Sequence, residues 1–284
     1  MGGYLVLSET KVQRFKEMSL QEHLRELRTR LFKASVSILI GTVVAWSFYP
    51  QIFEILSQPV NAIVEQAQAN GRDVRLVLGG VADAFVLQIK VSVVTSMLLT
   101  APLWLYQIWR FITPGLYRKE KLRAYLFVGV ATPLFLSGAV LAYVFLPVGL
   151  NLLFGFTPQG VGNYVPVDRY LSFFLRMVLV FGIGFLTPLF IVMLNLFDLL
   201  EAKAITSRWR LVILIVFAFA AIATPTGDPV NMTLLAVPVL LLISIATGIA
   251  WVNDRRRITR RQQDPVLGLS DDEASPEPKP STDI

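Results

Sequence analysis

The segment MVLVFGIGFLTPLFIVMLNLF, residues 177–197, decides the fold of this protein. It runs for 21 residues without an Asp, Glu, Lys or Arg. A helix of about 20 apolar residues is long enough to cross the hydrocarbon core of a bilayer, which is roughly 30 Å thick. A segment of this length and composition predicts a transmembrane helix.

Five other windows also lack charged residues. They are 34–53, 91–109, 124–167, 211–227 and 229–253. The window 124–167 is longer than one span, but its second half, NLLFGFTPQGVGNYVPV, carries the Gly, Pro and Asn residues that mark a loop. Helices are the only open-chain structures that satisfy their backbone hydrogen bonds within lipid. The six windows therefore predict an all-α membrane protein with six transmembrane helices.

The composition agrees with this prediction and excludes several kinds of site. Of the 284 residues, 54% are hydrophobic and 16% are charged, whereas a soluble domain has about 25% charged residues. The chain has no cysteine and one histidine, which excludes disulfides, thiol catalysis and multi-histidine metal sites. No cofactor is predicted. No cleavable signal peptide is expected, because the first apolar window begins only after residue 33.

The basic residues predict the orientation of the chain. Of the 26 Lys and Arg residues, 21 lie before residue 34, within 110–123, within 203–210 or after residue 254. Basic residues are concentrated in the cytoplasmic loops of membrane proteins. Both termini are therefore predicted to be cytoplasmic.

This topology divides the chain into three parts. Residues 1–31 form a cytoplasmic segment with an amphipathic helix, 32–251 a six-span domain, and 252–284 a basic and then disordered cytoplasmic tail. Residues 50–82 are expected to form a first outer loop with amphipathic interfacial segments, and 148–169 a second outer loop. The predicted spans are 32–49, 84–109, 123–147, 170–196, 209–223 and 232–251.

Two of the spans have unusual lengths. The second is long, and Pro102 is expected to kink it or to start an interfacial segment that carries Trp104 and Trp109 together with Tyr106. The fifth is short, since about 14 residues between a basic flank and Pro225 extend only about 21 Å. A helix this short must thin the bilayer, snorkel its flanking side chains or pack in a protein-lined cavity.

Acidic residues stand among basic ones in two cytoplasmic segments. Glu26 lies in HLRELRTRL, residues 23–31, and Glu120 lies in LYRKEKLR, residues 116–123. Either carboxylate could accept a guanidinium in a two-bond, charge-assisted fork. The alternatives are a simple i,i+4 pair between Glu26 and Arg30 and a solvated loop charge at Glu120.

The motifs in order along the chain resemble those of the TatC family, the multispanning receptor subunit of the twin-arginine protein translocase. They are HLRELRTRL, SQPV at 57–60, APLWLYQIWRFITPGLYRKE at 101–120, and TPTGDPVNMTLLAVP at 224–238. The resemblance covers about residues 18–255. It implies a receptor in the cytoplasmic membrane for signal peptides with two consecutive arginines, within a complex that exports folded proteins using the proton-motive force.

The resemblance also implies residues for the signal-peptide site. Glu26 and Glu120 match the carboxylates that contribute to the arginine-binding face of the family. Arg28, Pro59 and Phe111 match family positions as well. For these three the alternatives are topology, loop geometry and interfacial packing.

The resemblance implies partners in the same way. Single-span subunits of the TatA or TatB type are expected to dock along the fifth and sixth helices, near Thr224, Asp228 and Met232. Asp228 could instead serve only as the cap of the sixth helix. Met232 and Leu186 stand where some relatives carry polar residues. The complex is expected to contain several copies of this chain in the lipid bilayer, and no nucleic acid.

Two other classes of function were weighed. An enzyme is disfavoured because no nucleotide-binding loop and no metal-ligand set occur. A secondary transporter of a small solute is the closer alternative, and it would need charged or broken helices near the bilayer midplane. Lys90 and Arg176 are the charges inside the predicted spans, and snorkelling from near the outer ends explains them.

Overall fold

The computed structural model describes residues 20–69, 74–112, 121–155, 163–223 and 229–262. The described chain is almost entirely helical. Its helices are α1 Leu20–Ser47, α2 Tyr49–Ala69, α3 Val81–Leu99, α4 Ala101–Ile112, α5 Lys121–Gly155, α6 Val167–Leu196, α7 Ala202–Ser207, α8 Trp209–Ala223 and α9 Pro229–Gln262, and its strands are β1 Val74–Val77 and β2 Asn163–Pro166.

Six of these helices correspond to the six predicted spans. Five are long and apolar enough to cross a membrane, and they lie in α1, α3, α5, α6 and α9. The sixth, α8, has 15 residues and extends about 22 Å, less than the roughly 30 Å of a hydrocarbon core. The prediction of a short fifth span is confirmed.

The helices alternate in direction, which gives the bundle two ends. We call the end at which α1 begins the basic end, because the arginines of α1 and the arginine-rich part of α9 lie there. α4 and α7 also lie at this end. We call the opposite end, which carries α2 and the two strands, the strand end. α3 and α6 both begin at the strand end and run toward the basic end.

The predicted second span is two helices. α3 ends at Leu99, and the N–H of Thr100 donates to the carbonyl of Ser96 at 2.8 Å before α4 begins. Pro102 lies in the first turn of α4, where its missing N–H removes no helical bond. The predicted break is confirmed. Trp104 and Trp109 are buried between α4 and α5, so they anchor α4 to the protein. This differs from the expectation that they would face a membrane interface.

The strand end differs most from the expectation. Residues 50–82 hold one continuous helix, α2, in place of short interfacial stretches, and α5 continues to Gly155, eight residues beyond its predicted end. β1 and β2 pair in parallel, with Val74 opposite Asn163. The sequence does not predict these strands, because each has only four residues, too few to show an alternating pattern, and the two lie far apart in the sequence.

The basic end of α9 also extends further than predicted. The helix continues to Gln262, beyond the expected end at residue 251. Asp254 explains part of this extension, because its Oδ1 accepts from Asn195 Nδ2 at 2.7 Å and its Oδ2 accepts from the N–H of Ala202 at 2.9 Å. The disordered tail was predicted at 262–284; Gln262 is instead the last residue of α9, and 263–284 lie outside the described residues.

Glycines allow close contacts between helices. A Cβ on Gly138 of α5 would lie 2.5 Å from the carbonyl oxygen of Phe181 in α6. A Cβ on Gly41 of α1 would lie 2.4 Å from Ser96 Oγ in α3, and that hydroxyl donates to the carbonyl of Ile38 at 2.5 Å. Small residues allow such close approach where lipid provides no hydrophobic drive between helices.

Candidate functional site

The carboxylate of Glu26 lies on α1 at the basic end and is partly buried. Arg30, one turn later, donates to Glu26 Oε1 from Nη2 at 3.1 Å and from Nε at 3.4 Å. The exposed fractions of the two side chains are 18% for Glu26 and 15% for Arg30. The i,i+4 pair that the sequence offered as an alternative is therefore confirmed as a contact.

Two contacts fix this part of α1 against α4. Arg30 Nη1 donates to Gln107 Oε1 at 3.4 Å. His23 stacks on Phe111, with ring centroids 4.7 Å apart and an angle of 23° between the planes. The sequence does not predict either contact, because each joins residues that are far apart along the chain.

The geometry leaves part of the Glu26 carboxylate available. An ionised carboxylate offers about four lone-pair sites on two oxygens. In the described part of the chain, Oε1 receives both hydrogen bonds from Arg30 and Oε2 receives none. Glu26 can therefore accept a second cationic donor while Arg30 holds it in place, or exchange Arg30 for that donor.

The other predicted signal-peptide residues are distributed unevenly. Arg28 is exposed on α1 and forms no ion pair with a described residue. Phe111 stacks on His23, which lies about one helical turn before Glu26 on α1. Glu120 lies outside the described residues.

Pro59 lies in α2 at the strand end, away from Glu26. α1 rises about 30 Å between Glu26 and its last residue. Pro59 is buried within α2, and because proline has no N–H it leaves the carbonyl of Ile55 without its helical donor. The hydroxyl of Tyr143 donates to that carbonyl at 3.1 Å, and the hydroxyl of Tyr170 donates to the carbonyl of Leu56 at 3.1 Å. These contacts make Pro59 part of the packing of α2.

Of the predicted partner-binding residues, Met232 is described. It is half-buried in the first turn of α9 and packs against the main core. Thr224 and Asp228 lie outside the described residues. The neighbouring helix α8 buries Val216 and Ala220 and leaves an apolar face exposed. The large side chains of that face are Leu211, Leu214, Ile215, Phe219 and Ile222.

Comparison with known proteins places the chain among protein translocase components. Residues 22–238 match the family model TatC, described as Sec-independent protein translocase protein. A Sec-independent protein translocase protein TatC of Frankia casuarinae is 40% identical over 272 residues, which cover 94% of this chain and 75% of that protein. One of Aquifex aeolicus is 36% identical over 84% of this chain and 98% of its own length.

A solved structure agrees with these sequence matches. The crystal structure of a twin-arginine translocase receptor TatC superposes with a TM-score of 0.70 at 34% sequence identity. The superposition covers 81% of this chain and 99% of that one.

Proposed function

This chain belongs to the TatC family of Sec-independent protein translocase proteins, and on that basis we propose that it is the receptor for twin-arginine signal peptides. Its complex exports folded proteins across the cytoplasmic membrane. The observation that carries the proposal is the Glu26 carboxylate, held at the basic end with Oε1 paired to Arg30 and Oε2 without a donor among the described residues.

The mechanism at Glu26 is recognition of a guanidinium. An arginine of the signal peptide donates to Oε2, and a second carboxylate, Glu120, binds the other arginine. Arginine suits such a site better than lysine, because its planar fork can make two bonds to one carboxylate. Arg30 acts as a positioning residue, since it fixes the rotamer of Glu26 and is itself held by Gln107.

The test is the binding of fluorescent signal peptides to the purified chain in detergent. Glu26→Gln should weaken binding of an Arg-Arg peptide at least about tenfold, because a hydrogen bond to a charged group contributes roughly 1.5–3 kcal/mol and tenfold corresponds to about 1.4 kcal/mol. Glu120→Gln should act in the same direction. Glu54→Gln is the matched control, because Glu54 is exposed on α2 at the strand end. Equal affinity for Arg-Arg and Lys-Lys peptides would contradict the site.

The fifth and sixth spans are the proposed docking place for single-span partner subunits. Two features of α8 support this: its 15-residue length and its exposed apolar face. A partner helix placed there lies beside Met232, with Thr224 and Asp228 in the connecting segment. Photo-cross-linking from position 232 should capture a single-span subunit, with position 40 on the exposed face of α1 as control. Capture from position 40 and never from 232 would move the docking place elsewhere.

We further propose that both termini are cytoplasmic and that several copies of the chain act in one complex. Reporter fusions after Arg261 should then report the cytoplasm, and fusions near Asn163 the outer side. A translocase subunit driven by the proton-motive force needs no catalytic centre of its own. The similarities give no support to a small-solute transporter, since the family and the relatives are protein translocase components.

A further inference from the structure

A cationic side chain lies at the middle of α3. Lys90 is the tenth of the 19 residues of this helix, and its side chain is exposed. Its Nζ donates to Ser172 Oγ of α6 at 2.9 Å. The backbone of Lys90 is therefore deeper in the span than the sequence suggested, and its side chain crosses to the neighbouring helix.

A second cationic side chain lies on α6, close to Ser172 in the sequence. Arg176 lies one helical turn beyond Ser172 on α6 and is exposed. Helical side chains tilt toward the N-terminus of their helix, and both α3 and α6 begin at the strand end. The Lys90 ammonium reaches Ser172, and the tilt of helical side chains directs the Arg176 side chain toward the same end of α6. Ser172 lies about 7.5 Å along α6 from its first residue.

No described carboxylate neutralises these two charges. The acidic residues in the first turns of the same helices are Asp83 and Asp168. Among the described residues, neither forms an ion pair with Lys90 or Arg176, since the described ion pairs join other residues. A cation within a membrane span is costly unless it meets an anion or water, so ionisable residues in this position mark functional sites.

The surroundings of the cations suit a lipid. Large apolar side chains are exposed on α3 in the turn and a half before Lys90, and one is exposed on α6 beyond Arg176. They are Phe85, Val86, Ile89 and Ile183. Phosphate groups lie at the membrane interface, which is the level that Lys90 reaches by snorkelling. The acyl chains of the same lipid would extend from that level toward the bilayer centre, in the direction of the exposed Ile183 of α6.

We propose that Lys90, Ser172 and Arg176 form a binding site for the phosphate of a phospholipid in the leaflet at the strand end. The Lys90 ammonium and the Arg176 guanidinium bind the phosphate oxygens through charge-assisted hydrogen bonds. Ser172 accepts from Lys90 and directs its own hydroxyl hydrogen to the phosphate. Basic pockets between transmembrane helices on the cytoplasmic side of membranes bind lipid headgroups, and the same pairing of cations with phosphate applies to the leaflet at the strand end.

The test is native mass spectrometry of the full chain, released from detergent and titrated with phosphatidylglycerol. The double variant Lys90→Gln/Arg176→Gln should bind the first lipid at least about tenfold more weakly, because two charged donors are lost. Lys90→Arg/Arg176→Lys keeps both charges and should retain the affinity within about twofold. Arg208→Gln/Arg256→Gln removes two exposed charges at the basic end and is the charge-matched control.

The outcomes separate the possible anions. Inorganic phosphate at millimolar concentration should not displace the lipid, since it lacks the acyl chains; displacement would show a site for free phosphate and overturn the proposal. The proposal would also be overturned if the site variant and the control variant lost affinity for the first bound lipid to the same extent. Unchanged lipid binding with loss of a co-purifying single-span subunit would overturn it as well, because the anion would then be a protein carboxylate. Unchanged thermal unfolding and signal-peptide binding of the site variant would show that it is folded.

Discussion

Replacing Gly138 by alanine is expected to separate α5 from α6. The new Cβ would lie 2.5 Å from the carbonyl oxygen of Phe181, 2.8 Å from its carbonyl carbon and 3.0 Å from the Cα of Gly182. All three are backbone atoms, so no side chain can rotate away. Ordinary contacts begin near 3.4 Å, and the helices must therefore move apart by about 0.9 Å.

The magnitude follows from two opposing effects. Overpacking a well-packed site costs about 1–3 kcal/mol, and a contact with backbone belongs at the upper end of that range. Alanine recovers up to about 1 kcal/mol over glycine through helix propensity. The net destabilisation of Gly138→Ala is therefore about 2 kcal/mol, or roughly 4–8 °C in melting temperature for a chain of this size.

Gly129 supplies the matched control on the same helix. A Cβ there meets no atom within 4 Å, so Gly129→Ala keeps the propensity gain and has no steric cost. The assay is thermal unfolding of the purified chain in detergent, followed by the fluorescence of its five tryptophans. If Gly138→Ala melts at or above the temperature of Gly129→Ala, the close contact between α5 and α6 is wrong.

Three further substitutions test other contacts. Gln107→Ala should weaken binding of an Arg-Arg peptide a few-fold, because Gln107 holds Arg30 and Arg30 orients the Glu26 carboxylate. Fluorescence anisotropy with a labelled peptide measures this. Tyr143→Phe should cost about 1 kcal/mol of unfolding free energy when Pro59 is present and less when Pro59→Ala restores the helical N–H; additive effects would contradict the assigned hydrogen bond. Asp254→Ala removes two hydrogen bonds to neighbouring elements and should lower unfolding free energy by about 2 kcal/mol, with unchanged signal-peptide affinity as its control.

The spans were predictable because each depends on local composition. A segment of about 20 residues without charged side chains forms a helix in lipid, because only a helix satisfies its backbone hydrogen bonds within the segment itself. The length of α8 followed from the distance between a basic flank and a proline, and the break before α4 followed from Pro102. These signals lie within one element and need no knowledge of its neighbours.

The strand end was not predictable because its structure depends on contacts between distant segments. A proline inside a segment usually ends or kinks a helix, so Pro59 favoured short stretches over one continuous α2. The hydroxyl of Tyr143 donates to the Ile55 carbonyl, which Pro59 leaves without its helical donor, and the hydroxyl of Tyr170 donates to the next carbonyl, that of Leu56. Both tyrosines lie on other helices, and nothing in the sequence near Pro59 indicates them. The pairing of β1 with β2 was not predictable for the same reason, since the two strands lie far apart in the sequence.

At the candidate site, the two sequence-based interpretations of Glu26, an arginine-binding carboxylate and an i,i+4 partner of Arg30, are compatible in the structure. A carboxylate reserved only for a ligand would be free to rotate, and ordering it on binding would cost side-chain entropy. Arg30 removes much of that cost, because it holds Oε1 in advance and Gln107 holds Arg30. The internal pair also reduces the field of the carboxylate, so a single distant cation is attracted less than a guanidinium that reaches Oε2 with the right geometry. On the proposed function, the ion pair between Glu26 and Arg30 would therefore help to select arginine, since pre-organisation favours the ligand whose shape matches the site.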